Sequence, residues 1–328
     1  MAAYKPLLAV ATHFSRRATR RRFSVISSIL LISLLFPIFL YSLLGKLLAN
    51  DPRLVPHAIR NAQNVLFITA HPDDGALFFG PSILQSSGRK NINRYMLVLS
   101  SGGTSHPQLP FQVAILCLTS YVVDHPETHR LETKAFCSSY SIPDKKCLIL
   151  QNKDLHQDQK RKPWDESIIQ RILERHITKW DIDLIITFDA AGFSDPNHRA
   201  LSNAVQRFSN LHEHRNPAAY ALQTKSVLRR YISVLDLVPT SLPFALRILE
   251  ALLFAVPEGY QTRLDGKGVI PPPKDGDVYG DKALIVTDWS RHIEAKTALE
   301  KHASAYSWDR ALYASLSRYM WFNDLRRM

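Results

Sequence analysis

Two short apolar runs, each ending in a polar loop that opens a helix-like stretch, constrain this 328-residue chain most. Val65–Thr69 and Asp183–Phe188 are rich in β-branched and apolar residues and read as buried strands. The first runs into Ala70-His71-Pro72-Asp73-Asp74. The second runs into Asp189-Ala190-Ala191-Gly192-Phe193-Ser194-Asp195-Pro196-Asn197-His198. Further strands are predicted at Arg94–Ser100, Cys147–Leu150 and Ala283–Thr287. They alternate with helical patterns from Ala76 to Gly88 and at Arg130–Tyr140, Asp165–Lys179, Asn197–Phe208 and Arg291–Tyr306. This alternation predicts an α/β fold, a Rossmann-like mostly parallel sheet with flanking helices. No Gly-x-Gly-x-x-Gly follows the first strand, so a dinucleotide fold in the strict sense is not supported.

Ligands of open α/β sheets bind beyond the carboxyl ends of the strands, so the two loops can face one another across a crevice. His71, Asp74 and His198 would then form a two-imidazole, one-carboxylate set with a position open to water, the style of a catalytic zinc site. Asp73, next to the ligands, is placed to act as general base on the attacking water. Each loop alone has a plainer reading, because Asp and Pro are common helix starters and a histidine at a helix start is usually structural. The pairing of the loops favours the metal.

The N-terminal segment reads differently. Residues 1–22 are basic, with Arg16, Arg17, Arg20, Arg21 and Arg22 clustered at their end. From Phe23 to Leu44 the chain is apolar and uncharged, and about 20 such residues span a bilayer. The expected organisation is a single transmembrane helix at 23–45, a linker at 46–63 and the α/β domain at 64–328. Pro37 is tolerated in such a helix, and the run is longer than the core of a signal peptide. The net charge of +12, part of it in the arginine cluster beside the span, suggests an anionic membrane surface, and no nucleic-acid signature accompanies it. The arginines alone predict a cytosolic N-terminus and a lumenal domain, with Lys46, Arg53 and Arg60 as a weaker counterweight. Three cysteines, Cys117, Cys137 and Cys147, without a Cys-x-x-Cys pair argue against a disulfide framework and fit a cytosol-facing domain. Residues 231–257 form a second apolar run that Asp236, Arg247 and Glu250 interrupt. It reads as an interfacial helix, with a buried core helix as the alternative. The C-terminal aromatics and arginines also suit a membrane interface.

The two loops resemble the N-acetylglucosaminyl-phosphatidylinositol de-N-acetylase family of LmbE-like zinc deacetylases, in its membrane-anchored eukaryotic branch. Ala70 to Asp74 matches that family's Ala-His-Pro-Asp-Asp-Glu. Thr187-Phe188-Asp189-Ala190-Ala191-Gly192-Phe193-Ser194 and Asp195-Pro196-Asn197-His198 match its second motif. Ser317-Arg318-Tyr319-Met320, with Asn323 and Leu325, supports the match. The resemblance implies that His71, Asp74 and His198 bind Zn²⁺, although another divalent metal would suit the same ligands. It also implies that Asp73 is the general base. The substrate and partner would be the glycolipid N-acetylglucosaminyl-phosphatidylinositol, deacetylated at the endoplasmic reticulum membrane by a domain facing the cytosol, as an early step of glycosylphosphatidylinositol anchor synthesis.

Three departures accompany it. Gly75 stands where the family has Glu. Asp195 takes the catalytic place of a histidine, in a loop one residue short. Residues 104–126 form an atypical insertion before Glu127-Thr128-His129-Arg130-Leu131-Glu132, where His129 takes the family's arginine place and Arg130 lies adjacent. Arg130 and His302 are the expected substrate-binding residues, with a plain surface histidine the alternative for His302. A catalytically impaired member of the same family is the competing reading.

Overall fold

The computed structural model describes residues 24–87, 92–101, 126–151, 155, 163–211, 217–254, 261–262, 269–270, 279–305 and 308–328. Nearly all of the insertion at 104–126 lies outside the described residues. Seven strands form one sheet: β1 (Asn64–Thr69), β2 (Asn93–Val98), β3 (Cys147–Ile149), β4 (Leu184–Phe188), β5 (Ala218–Leu222), β6 (Lys282–Val286) and β7 (Phe322–Arg327). Their order is β3-β2-β1-β4-β5-β7-β6. The first five run parallel, and β7 pairs antiparallel with both β5 and β6. Val65, Leu66, Phe67 and Ile68 are all buried, as expected of a central strand covered by helices on both faces.

The helices are α1 (Ser24–Leu47), α2 (Asp74–Phe78), α3 (Gly80–Ser87), α4 (Pro126–Ser139), α5 (Glu166–Trp180), α6 (Pro196–Leu211), α7 (Leu237–Phe254), α8 (Trp289–Leu299) and α9 (Trp308–Leu316). The mostly parallel sheet with flanking helices matches expectation. The helix expected from Ala76 to Gly88 is two helices that break at Phe79, and the one expected at Arg291–Tyr306 stops at Leu299. Strands β5 and β7 lie outside the strands expected from the sequence. β5 carries three alanines, which have weak strand preference, and β7 ends in exposed Arg326 and Arg327, which hide its buried half.

Two expectations are corrected. Cys137 at the end of α4 and Cys147 at the start of β3 form a disulfide, with an S–S distance of 2.08 Å. An odd cysteine count leaves such a pair open when a short turn returns the chain beside itself. The stretch 46–63 is not a free linker. Leu54, Val55 and Ile59 are buried, and the Leu54 carbonyl accepts from the Leu284 amide on β6.

Arg318 and Asp236 are fully buried. The guanidinium bridges Asp236 at 2.9 Å and Asp324 at 3.0 Å, and so ties the entry of α7 to β7. Its burial corrects the reading of this arginine as a membrane-interface residue. Arg318→Met is expected to cost about 3–5 kcal/mol, because it leaves two buried carboxylates short of a partner. Denaturant unfolding of the purified chain in detergent measures that loss.

Candidate metal centre

The centre sits where β1 and β4 end side by side. Their parallel register pairs Val65 with Leu184 and Phe67 with Ile186, and Thr187 Oγ1 donates to the Ile68 carbonyl at 3.0 Å. The loop after β1 turns at once. The buried Asp74 carboxylate folds back, and its Oδ2 accepts from the amides of Ala70 at 3.1 Å and His71 at 2.8 Å. Asp74 thus closes the end of β1 and points the His71 imidazole into the crevice.

The loop after β4 is fastened differently. Asp189 accepts from the Gly192 amide, the Thr224 amide and the Thr224 hydroxyl, which pins the loop to the end of β5. Gly192, Phe193 and Ser194 all have positive φ. Gly192 fits this conformation, and a Cβ there would come within 2.8 Å of Arg199. Asp195 then caps α6. Its Oδ1 accepts from the amides of Asn197 at 2.7 Å and His198 at 3.3 Å, with Pro196 at the first helical position. The cap fixes the first turn of α6, which carries His198. The His198 ring stacks on Phe188 at 3.9 Å.

These two loops bring four predicted residues together. His198 Nε2 lies 3.1 Å from Asp74 Oδ2, and His71 Nδ1 lies 3.6 Å from the same oxygen. One ligand-type atom each from His71, Asp195 and His198 lies within 4.8 Å of the other two. Asp195, expected to replace a catalytic histidine, therefore also stands among the possible ligands. Two imidazoles and neighbouring carboxylates are a donor set suited to a divalent cation. His198 Nδ1 is buried without a hydrogen-bond partner among the described residues. Burial works to lower the His71 pKa, but Asp74, aided by Asp195 and Asp73, outweighs it and raises the group to about 9. Burial likewise opposes ionisation of Asp74, yet His198 and His71 hold it well below the usual carboxylate range.

Asp73 precedes α2 and does not cap it. Its Oδ2 accepts instead from Arg310 Nη2 at 2.9 Å. Arg310 comes from α9, far away in sequence. By its aromatic neighbours in sequence it reads as a membrane-interface arginine, and nothing local signals its role. His302 is buried, which corrects the plain surface reading. Its Nε2 has no hydrogen-bond partner among the described residues. Burial lowers its pKa to about 4, against the pull of Asp73 and Glu132. Glu132 holds the turn after His302, accepting from the Ser304 amide and hydroxyl. Arg130 pairs with Glu127 on α4 rather than with a carboxylate of the centre. At Gly75, a Cβ would meet Phe136 at 3.0 Å and Met96 at 3.1 Å, so the Phe136 ring fills the space beside this residue.

Residues 66–209, which include both loops, match the family model described as PIG-L, GlcNAc-PI de-N-acetylase. The chain is 28% identical over 264 residues to the N-acetylglucosaminyl-phosphatidylinositol de-N-acetylase of Bos taurus, across 79% of this chain and 81% of that one. It is 25% identical over 180 residues to a probable N-acetylglucosaminyl-phosphatidylinositol de-N-acetylase of Schizosaccharomyces pombe, across 54% of this chain and 64% of that one. Among solved structures, N,N'-diacetylchitobiose deacetylase from Pyrococcus horikoshii superposes with a TM-score of 0.46 at 14% identity, across 88% of this chain and 90% of that one.

Two outcomes are expected of metal titrations. His71 carries a proton at neutral pH in the metal-free chain, so metal uptake at pH 7.5 should release protons, and affinity should rise as pH approaches about 9. Calorimetry in buffers of different ionisation enthalpy reads this release. Asp195→Asn should keep the helix cap and weaken metal binding. Asp195→Ala should lose the cap as well, at a further cost of about 1 kcal/mol in thermal stability.

Proposed function

We propose that this chain, whose residues 66–209 form a GlcNAc-PI de-N-acetylase family domain, hydrolyses the N-acetyl group of N-acetylglucosaminyl-phosphatidylinositol. The observation that carries this reading is the convergence of His71, Asp74, Asp195 and His198 at two adjacent strand ends inside the family-matched stretch. The names of the relatives supply the substrate.

In our reading His71, Asp74 and His198 hold Zn²⁺, with Asp195 as an additional donor in place of the family's histidine. When bound, the cation supplies positive charge that polarises the amide carbonyl and makes water acidic. Asp73 takes the proton of the attacking water, and Arg310 fixes the orientation of its carboxylate. The new C–O bond forms at the acetyl carbon and the C–N bond breaks. Acetate leaves, and the proton held by Asp73 passes to the departing amine. His302, with Nε2 unpaired and Asp73 within electrostatic reach, offers the substrate a hydrogen bond. Arg130 sits on the outer side of α4 with Glu127, and we assign it no step.

We place the chain in the endoplasmic reticulum membrane, anchored by α1, with the domain facing the cytosol as in the family resemblance. Two features weigh towards the lumen: the arginines ahead of the span, and the Cys137–Cys147 bond, which belongs to oxidising compartments. Protease added to sealed microsomes decides. Digestion of the domain places it in the cytosol, and protection places it in the lumen.

The test of the reaction is deacetylation of an N-acetylglucosaminyl-phosphatidylinositol analogue by membranes carrying the chain, with zinc present. Asp73→Asn is expected to lower the rate about 10²–10⁴-fold while metal content stays unchanged. A parent chain that binds metal and turns nothing over would favour the impaired reading. The observation behind that reading is Phe136 packed where the family's glutamate would stand.

A further inference from the structure

We propose that one apolar face, formed by α9, the turn before α7 and α7 itself, rests on the surface of the lipid bilayer, one helix away from the metal centre. This rests on α1 being the membrane anchor.

Helix α1 does not end before the domain begins. Tyr41 and Leu44 are buried within the domain. Gly45 lies so close to the β6–α8 junction that a Cβ would come within 2.7 Å of the Thr287 carbonyl oxygen. The large apolar side chains from Val25 to Phe36, and Ile38 and Phe39, are exposed. At 1.5 Å per residue, the stretch ahead of Tyr41 covers about 25 Å, close to the hydrocarbon thickness of roughly 30 Å. No free tether therefore separates domain and bilayer, and the surface around the entry of α1 must lie at the interface.

The residues at that entry suit it. Trp321 packs edge-on against Tyr41 at 5.4 Å, and Trp289 lies 5.5 Å from Trp321. Tyr41 and Trp321 are themselves buried, and Trp289, exposed beside them, is the ring of the three free to settle at the headgroup level. The Ser315 carbonyl accepts from Trp321 Nε1 and from the Ser233 hydroxyl, both at 3.0 Å, so the end of α9 and the turn before α7 meet at the same point. Two exposed stripes lead away from it. Trp308, Leu312 and Leu316 recur every four residues on α9, and Leu242, Leu246 and Leu249 share a face of α7. Large apolar side chains exposed in rows on two joined helices, rather than scattered singly, are unusual on a protein that meets only water. The other side of α9 faces the centre. Arg310 reaches Asp73, and the Tyr313 hydroxyl donates to the Leu77 carbonyl at 2.8 Å. A bilayer against the outer stripe would thus lie a single helix away from the general base. That suits a substrate whose sugar is carried by a lipid.

The test uses the full chain in phosphatidylcholine vesicles, with part of the lipid brominated just below the headgroup. The difference in fluorescence between the parent and Trp308→Phe isolates the emission of Trp308, 67% exposed in the protein alone. We expect that emission to be blue-shifted and quenched by the brominated lipid. Red-shifted, unquenched emission, meaning contact with water, would overturn the proposal. Blue-shifted emission without quenching would also overturn it, because a second copy of the chain would then cover the stripe. Quenching needs no turnover, so an inactive chain leaves the test intact. Release of the chain from the vesicles by alkaline carbonate would overturn the anchor and this seat together. Retention with Trp308 unquenched would overturn the seat alone.

Discussion

The parallel pairing of β1 with β4 is the constraint on which the centre depends. The two strands are neighbours in the sheet although more than a hundred residues separate them in the chain. Their carboxyl ends therefore open side by side, and each hands its loop to the same crevice. Every residue of the candidate centre except Arg310 and His302 comes from one of these two strand ends. Polar contacts between the two strands pin the register: Thr187 Oγ1 donates to the Ile68 carbonyl, and the Asp183 carboxylate accepts from the amides of Gln63 and Asn64.

Within the crevice, charge balance sets the arrangement. Asp74 sits in low-dielectric surroundings, where an unpaired carboxylate is costly. Two backbone amides and two imidazoles meet that cost. The imidazoles in turn gain from the carboxylates around them. Carboxylates and imidazoles gathered in this way are a donor set suited to a divalent cation. Asp195 joins two levels of organisation in one side chain, since the carboxylate that caps α6 also stands beside His71 and His198.

The C-terminal region completes the structure around this core. β7 inserts between β5 and β6, and Arg318 binds Asp236 and Asp324 beneath it. α9 then carries Arg310 back to Asp73. The same helix exposes Trp308, Leu312 and Leu316. One short element thereby lies between the crevice and the outer surface.

Much of this was legible in the amino-acid order, and the division follows interaction range. The strands β1 and β4, the helices behind them and the ligand-type residues of both loops follow from local patterns: apolar runs, helical periodicity, Asp-Pro helix starts. The long apolar helix α1 follows from composition alone. Features made by distant partners were hidden. Arg310 and Arg318 look alike in sequence, as arginines among aromatics, yet one meets Asp73 and the other is buried between Asp236 and Asp324. Nothing in the sequence around His302 signals its burial beside Phe136. β5 and β7 lack a strong strand signal because neighbours, not propensity, hold them. The pairing of Cys137 with Cys147 needed the turn between α4 and β3. The sequence by itself determined which residue types stand at the strand ends, because periodicity and composition act within a few residues. Only the tertiary structure decided which charges meet, because a buried charge takes its partner from whatever the fold brings within a few ångströms.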